Sequence, residues 1–172
     1  INATIQNSNI SVDGTKMFVL VGYRYVYEHT LSTPFDASTA TYIQQYDVYY
    51  AQGSDNSNAL EVASDGSKFY TIDYDDDLIY EWSMATPWDL SSVTNTGNYR
   101  ISSHITSGID LVMTPDGKKV YVTGTESDKI IELVLTTPFD ITTAYWTGVS
   151  LSISSQTGEP RSLILSSDGS KL

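Results

Sequence analysis

The 172-residue sequence has no cysteine, which excludes a disulfide framework and a thiolate zinc site. Basic residues are scarce: 9 Lys and Arg stand against 21 Asp and Glu, a net charge of −12. Binding to a phosphate backbone draws on Lys and Arg that release counterions, and so does binding to anionic lipid. Neither nucleic acid nor a membrane surface is therefore expected as a partner. The acid excess fits solubility and does not report on fold. No apolar run approaches the length of a membrane span, and no signal peptide is visible ahead of Ile1. That start fits either a removed signal or a beginning inside a longer protein. Helical periodicity is missing too, since no window shows apolar residues at i, i+3, i+4 and i+7. Disorder is nevertheless excluded, because 40% of the residues are apolar.

What the sequence does have is a repeat. The pairs Asp13-Gly14, Asp65-Gly66, Asp116-Gly117 and Asp168-Gly169 are spaced by 52, 51 and 52 residues. A second motif, "LSTPFDAST", "MATPWDLSS" and "LTTPFDITT", keeps the same beat, with Pro34, Pro87 and Pro138 spaced by 53 and 51. Within a unit, one apolar run precedes Asp-Gly ("ALEVAS") and another follows it ("KFYTID"). A third comes after a polar turn ("LIYEWSM") and a fourth after the proline motif ("VTNTGNYRI"). All are short and rich in β-branched and aromatic residues. Four strands per unit of about fifty residues predict an all-β chain of four-stranded antiparallel propeller blades. Three full blades and the start of a fourth are expected, in a single segment over residues 1–172. The units are 6–58, 59–109, 110–161 and a partial 162–172, with a first strand of the fourth from Ser162 to Ser166.

Each repeated residue has a structural job. Gly after Asp tolerates the positive φ of a tight turn. Proline fixes φ and ends strand three, and the Asp two residues on can accept an N–H from the Ser/Thr stretch behind it. The intervening ring (Phe35, Trp88, Phe139) is large enough to wedge between blades. Lys16, Lys68 and Lys119 recur with Glu28, Glu81 and Glu132. Taking the hairpin turns as centred near positions 22, 74.5 and 125.5, each Lys should lie nearly opposite its Glu, a cross-strand pair contributing about 0.2–1 kcal/mol.

"TPDGKKVYVTGTESDKIIEL" resembles the YVTN-type β-propeller repeat, with its Pro-Asp-Gly-Lys turn, Tyr-Val-Thr strand and Ser-Asp turn. The match is good in unit three, fair in unit two and loose in unit one. The Thr-Pro-aromatic-Asp insertion makes this unit longer than the usual repeat. The resemblance covers nearly the whole chain and implies a propeller of surface, secreted or scaffold type, with lactonases among the relatives. An extracellular or cell-surface setting follows from that resemblance. The S-x-D-G turns are also similar to the sialidase Asp-box, but Gly follows Asp directly and the tryptophan is missing.

Three blades do not close a ring, since four to eight are needed. An open arc exposes two apolar flanks. Two solutions are expected: a fragment of a longer propeller, or a homo-oligomer in which two copies complete one ring. The chain stops just after "DGSKL", which favours the fragment.

Candidate sites are few. In "DYDDD", Asp73, Asp75 and Asp77 alternate, and hard oxygen ligands at that spacing can hold Ca²⁺. The EF-hand pattern fails, because Leu78 and Met84 stand at its glycine and glutamate positions, and a solvated hairpin turn explains the run as well. No other cofactor is implied. His29 and His104 occupy different places in their units, with no triad motif and no catalytic residue to name. "YIQQYDVYY" offers Tyr42 and Tyr46 for stacking on a protein or carbohydrate, or for packing on an outer strand. Arg161 precedes a first strand and can point into the central channel as an anion contact. Glu61 and Asp110 are the inward acids of the first strands. The expected function is a non-enzymatic binding or surface-interaction module. The alternative is a lactonase-like enzyme with a metal in the central channel, for which two acids make a thin ligand set.

Overall fold

A computed structural model describes residues 4–172. Its strands are β1 Ile5–Ile10, β2 Lys16–Val21, β3 Tyr25–Leu31 and β4 Ala40–Asp47, then β5 Glu61–Val62, β6 Lys68–Asp73, β7 Leu78–Met84 and β8 Val93–Arg100. They end with β9 Gly108–Met113, β10 Lys119–Gly124, β11 Lys129–Leu135 and β12 Ala144–Ser152. They form three four-stranded antiparallel sheets in sequence order, β1 to β4, β5 to β8 and β9 to β12. The innermost strands β1, β5 and β9 touch their neighbours, so the three blades share an inner edge. A single helical turn, α1 Tyr49–Gln52, lies in the link between the first two blades.

The core lies between blades rather than within them. Phe18, Leu20 and Val26 of the first blade pack with Phe69, Trp82 and Leu90 of the second. Tyr70, Ile72 and Ile79 of the second pack with Val120, Leu133 and Ile141 of the third. Alternate residues of a strand point to opposite faces. A strand covered on both faces therefore loses the apolar–polar alternation, as β7 "LIYEW" does, with all five residues buried and the charge of Glu81 paired with Lys68.

The two repeated motifs meet in space. A Cβ added to Gly14, Gly66 or Gly117 would fall 2.5, 1.9 or 2.6 Å from the ring of Phe35, Trp88 or Phe139. Glycine is required there twice, once for its positive φ and once so that the aromatic ring of the same unit can lie on the turn. The rings themselves sit on residues with φ between 57 and 62°. The wedge expected between blades is thus mainly a lid on each unit's own turn, although Trp88 also reaches Phe18 of the first blade, centroid to centroid 5.1 Å. The motif's Asp behaves as expected: Asp36, Asp89 and Asp140 accept the N–H of Ser38, Ser91 and Thr142 at 3.0, 2.9 and 3.0 Å.

Two expectations are corrected. Lys68 lies opposite Ser83, while Glu81 lies opposite Tyr70, and the other two blades repeat the offset. The loops between strands two and three are centred one residue later than the sequence arithmetic placed them. The second and third of these loops end on Asp77 and Asp128 in left-handed backbone. The Lys–Glu pairs still form, diagonally, at 2.6, 2.6 and 3.0 Å. The run from Ser162 to Ser166 forms no strand. Its turn closes through Gly169 N–H to Ser166 O and Ser166 N–H to Lys171 O, each 2.8 Å, but no further ladder bond is made.

Candidate functional site

The inner strands line a cavity of about 560 Å³ that includes Asn7, Glu61, Asp110 and Ser162. In the repeat, Asn7, Asp110 and Ser162 stand six residues before their Asp-Gly, while Asn9 and Glu61 stand four before. The phase of the blades therefore brings these polar groups to one axis.

Both acids are engaged by the neighbouring unit, Glu61 by strand β9 and Asp110 by the segment after β12. Glu61 Oε1 accepts the Met113 N–H at 3.1 Å. Asp110 Oδ2 accepts the Leu163 N–H at 2.8 Å and the Ser162 hydroxyl at 3.0 Å. Asn7 Nδ2 donates to Asp110 Oδ1 at 3.2 Å, and Asn9 Nδ2 to the Leu60 carbonyl at 2.8 Å. Desolvation pushes the Glu61 carboxyl up to about 7, with the nearby Asp110 charge adding to the effect and the Met113 N–H opposing it. Desolvation raises Asp110 as well, against the N–H of Leu163 and the hydroxyl of Ser162. At neutral pH the channel thus holds one carboxyl poised to exchange a proton, beside a second acid.

The other sequence candidates are dispersed. Asp73 Oδ1 accepts the N–H groups of Asp75 and Asp76, Asp75 accepts from Asn56, and Asp77 accepts from the Ser107 N–H. Each carboxylate serves a different segment. Among the described residues, no three His, Asp or Glu side chains come together as a metal-binding group. Tyr42 and Tyr46 do not form one platform. A bulge between Gln44 and Tyr42 in their pairing with β3 breaks the alternation of β4. Tyr42 is left exposed against Tyr27 and His29, while Tyr46 turns onto Trp82 at 5.5 Å. Arg161 is exposed, pairs with Glu159 at 2.8 Å, and borders a second cavity beside Asp110 and Ser162. His104 lies against Trp146, with Ser103 Oγ 3.1 Å from its Nε2.

The sequence reading missed a second role of the repeated Glu. Glu28 Oε2 accepts the Leu90 N–H at 3.1 Å, and Glu81 Oε2 accepts the Ile141 N–H at 2.7 Å. In each case the donor follows the Pro-aromatic-Asp motif of the next blade. The in-phase recurrence of both motifs was the signal available for it.

No family model matches the chain, and no curated protein matches it. Solved structures do. It is similar to a Bacteroides uniformis protein assigned as a 6-phosphogluconolactonase, with TM-score 0.66, 13% identity, and 88% of this chain covered by 41% of that one. For the WD40 repeats of RRP9 the figures are 0.61, 11%, 88% and 39%. For the Swd1 β-propeller domain of Myceliophteria thermophila they are 0.58, 11%, 77% and 40%. The fold is a β-propeller arc of three full blades, and the chain spans about two fifths of the length of these neighbours.

Proposed function

We propose that this chain is a non-enzymatic binding and surface-interaction segment built on YVTN-like propeller repeats, which completes its ring with further blades, either in a longer protein or from a second copy. Two copies would make six blades, within the range that closes. The observation that carries the reading is the use of the channel acids. Glu61 and Asp110 each accept a backbone N–H from the adjoining unit, so they tie the inner strands β5 and β9 to the unit that follows each. Loops and outer strands remain for recognition, and exposed Tyr42 is available to a protein or sugar partner. A lactonase-like reading is favoured by one feature, a carboxyl near neutrality in a cavity of about 560 Å³.

The test joins two measurements. Mass in solution is followed against concentration, and hydrolysis of a sugar-acid lactone is followed with and without Ca²⁺ or Zn²⁺. Association without turnover is the expected result. Turnover that disappears in Glu61→Gln would replace this reading with the enzymatic one.

A further inference from the structure

Among the described residues, Tyr23 is the one large side chain outside the Pro-aromatic-Asp motif that stands at positive φ. Gly22 and Tyr23 are the central residues of the turn between β2 and β3, with φ of 63 and 61°, and the Arg24 N–H closes that turn on the Val21 carbonyl at 3.3 Å. Turns with positive φ at both central residues favour Asn, Asp and Gly, which reach the left-handed region at little steric cost. The matching loops of the other two blades use Asp77 and Asp128 there. A tyrosine in that conformation is strained. Its neighbours hold it in place: Gln6 Oε1 accepts the Tyr23 N–H at 3.0 Å, and the Tyr23 carbonyl accepts the Ser57 N–H of the first interblade link at 2.9 Å. Strain that the surroundings over-determine in this way gathers at ligand sites.

Tyr23 is 39% exposed and lines the second cavity, of about 450 Å³, with Asn7, Asn58, Asp110, Arg161 and Ser162. A space of that size holds a small ligand, and a few convergent polar groups are what such a site needs. These groups are fixed from behind. Buried Asp110 holds Asn7 Nδ2 at 3.2 Å and the Ser162 hydroxyl at 3.0 Å. Asn58 Nδ2 donates to the Asn56 carbonyl at 3.1 Å, which turns the Asn58 side-chain oxygen into the atom left to accept. Arg161 gives one nitrogen to Glu159 at 2.8 Å and keeps further N–H donors. The charges of Arg161 and Glu159 balance, and Asp110 adds an acid, so an anion gains nothing here. A cation finds no group of three His, Asp or Glu among the described residues. Hydroxyl groups suit the mixture, since each both donates and accepts. They meet acceptors in Asn58 and Asp110 and donors in Arg161 and the Tyr23 hydroxyl, while the Tyr23 ring offers an apolar face.

We propose that this cavity binds a neutral hexose-type sugar, with the Tyr23 ring as its stacking face and Asn58 and Arg161 as its polar contacts. Asp110 is a positioning residue, which holds Asn7 and Ser162 at the cavity wall. The strained turn is the device that turns the Tyr23 ring toward the sugar. The inference rests on the non-enzymatic binding reading and names the ligand class and the place.

The full chain is titrated calorimetrically with the neutral sugars glucose, galactose and mannose, and with gluconate and glucose 6-phosphate as anionic counterparts. Saturable binding of at least one neutral sugar is expected, with a Kd of about 1 mM or below, and weaker binding of both anions. Tyr23→Asn supplies a residue suited to the turn, so its thermal midpoint should hold or rise. Its sugar affinity should nevertheless fall about tenfold or more, because the stacking face is gone. A merely structural tyrosine would give the opposite pair of results, a lower midpoint and unchanged affinity, and either one overturns the inference. So does the absence of saturation by every neutral sugar up to about 10 mM, or tighter binding of an anion. Sugar binding that is absent while the chain still associates in solution overturns this inference and leaves the interaction-module reading standing. Turnover of a sugar-acid lactone overturns that reading itself.

Discussion

The middle blade and the two outer blades carry the same repeat, yet they are buried differently. All but one of the residues of β7 are buried, whereas β3 and β11 alternate between buried and half-buried positions. Among the described residues, every large apolar side chain left exposed belongs to the first blade and its link, or to the third blade and beyond. None falls in the middle blade. The difference lies in neighbours and not in composition: a blade is a half-finished core until both of its faces are covered. The same residue type should therefore matter greatly in the middle and little at the end.

The largest expected contrast is between Glu81 and Glu132. Glu81 is held by Lys68 and the Thr96 hydroxyl at 2.6 and 2.7 Å, and it holds the Ile141 N–H of the next blade. Removing one partner of a buried ion pair leaves the rest uncompensated and costs about 3–5 kcal/mol. Glu81→Ala should lower the denaturation midpoint accordingly, a large share of a domain's total stability. Glu132→Ala removes a partly solvated pair with no interblade N–H, and should cost about 1 kcal/mol or less. Equal losses in chemical denaturation would break the comparison.

A second contrast uses glycine. In Gly66→Ala the new methyl collides with Trp88 and the backbone stays at φ 72°. Overpacking and left-handed strain together should cost about 2–4 kcal/mol. Gly169→Ala carries the same strain, at φ 70°, with no ring to displace. About 1–2 kcal/mol is expected there, read as a shift in thermal midpoint.

These contrasts also mark what was legible in the sequence. Blade number, strand order and the Asx turns follow from the two motifs, because each depends on contacts within a few residues. That Glu81 serves Ile141, sixty positions away, depends on how one blade lies on the next, and sequence spacing within a unit does not encode that angle. The lysine register slipped by one because loop centring depends on which residue takes the left-handed conformation, here Asp77 rather than a glycine. Tyr46 could not be assigned a face, since one bulge reverses the alternation of an outer strand. The channel acids Glu61 and Asp110 were visible as inward residues. Their partners Met113 and Leu163 belong to the neighbouring units and were not.

A third contrast concerns pH, and it separates the inner edge of the middle blade from the exposed turn of the fourth unit. Desolvation moves Glu61 from 4.5 in the unfolded chain to about 7 in the folded one. Between those values the folded state binds more protons, so stability falls as pH rises through that window and levels off above it. Asp168 moves the other way, to about 2, because the hydroxyl and N–H groups of its turn favour the charged form. Its contribution is present above the unfolded value near 3.8 and fades as pH drops toward 2, in an exposed turn where solvent screens it. Urea midpoints measured from pH 4.5 to 7.5 should therefore decline in the wild type. The decline should flatten in Glu61→Gln and stay unchanged in Asp168→Asn. Asp110 is raised by the same burial and supplies whatever slope remains in Glu61→Gln. A wild-type profile that is flat over this range would mean that water reaches the channel acids freely, and the middle blade would then be no better covered at its inner edge than the end blades are at their faces; a slope that Glu61→Gln leaves intact would assign the decline to groups other than Glu61.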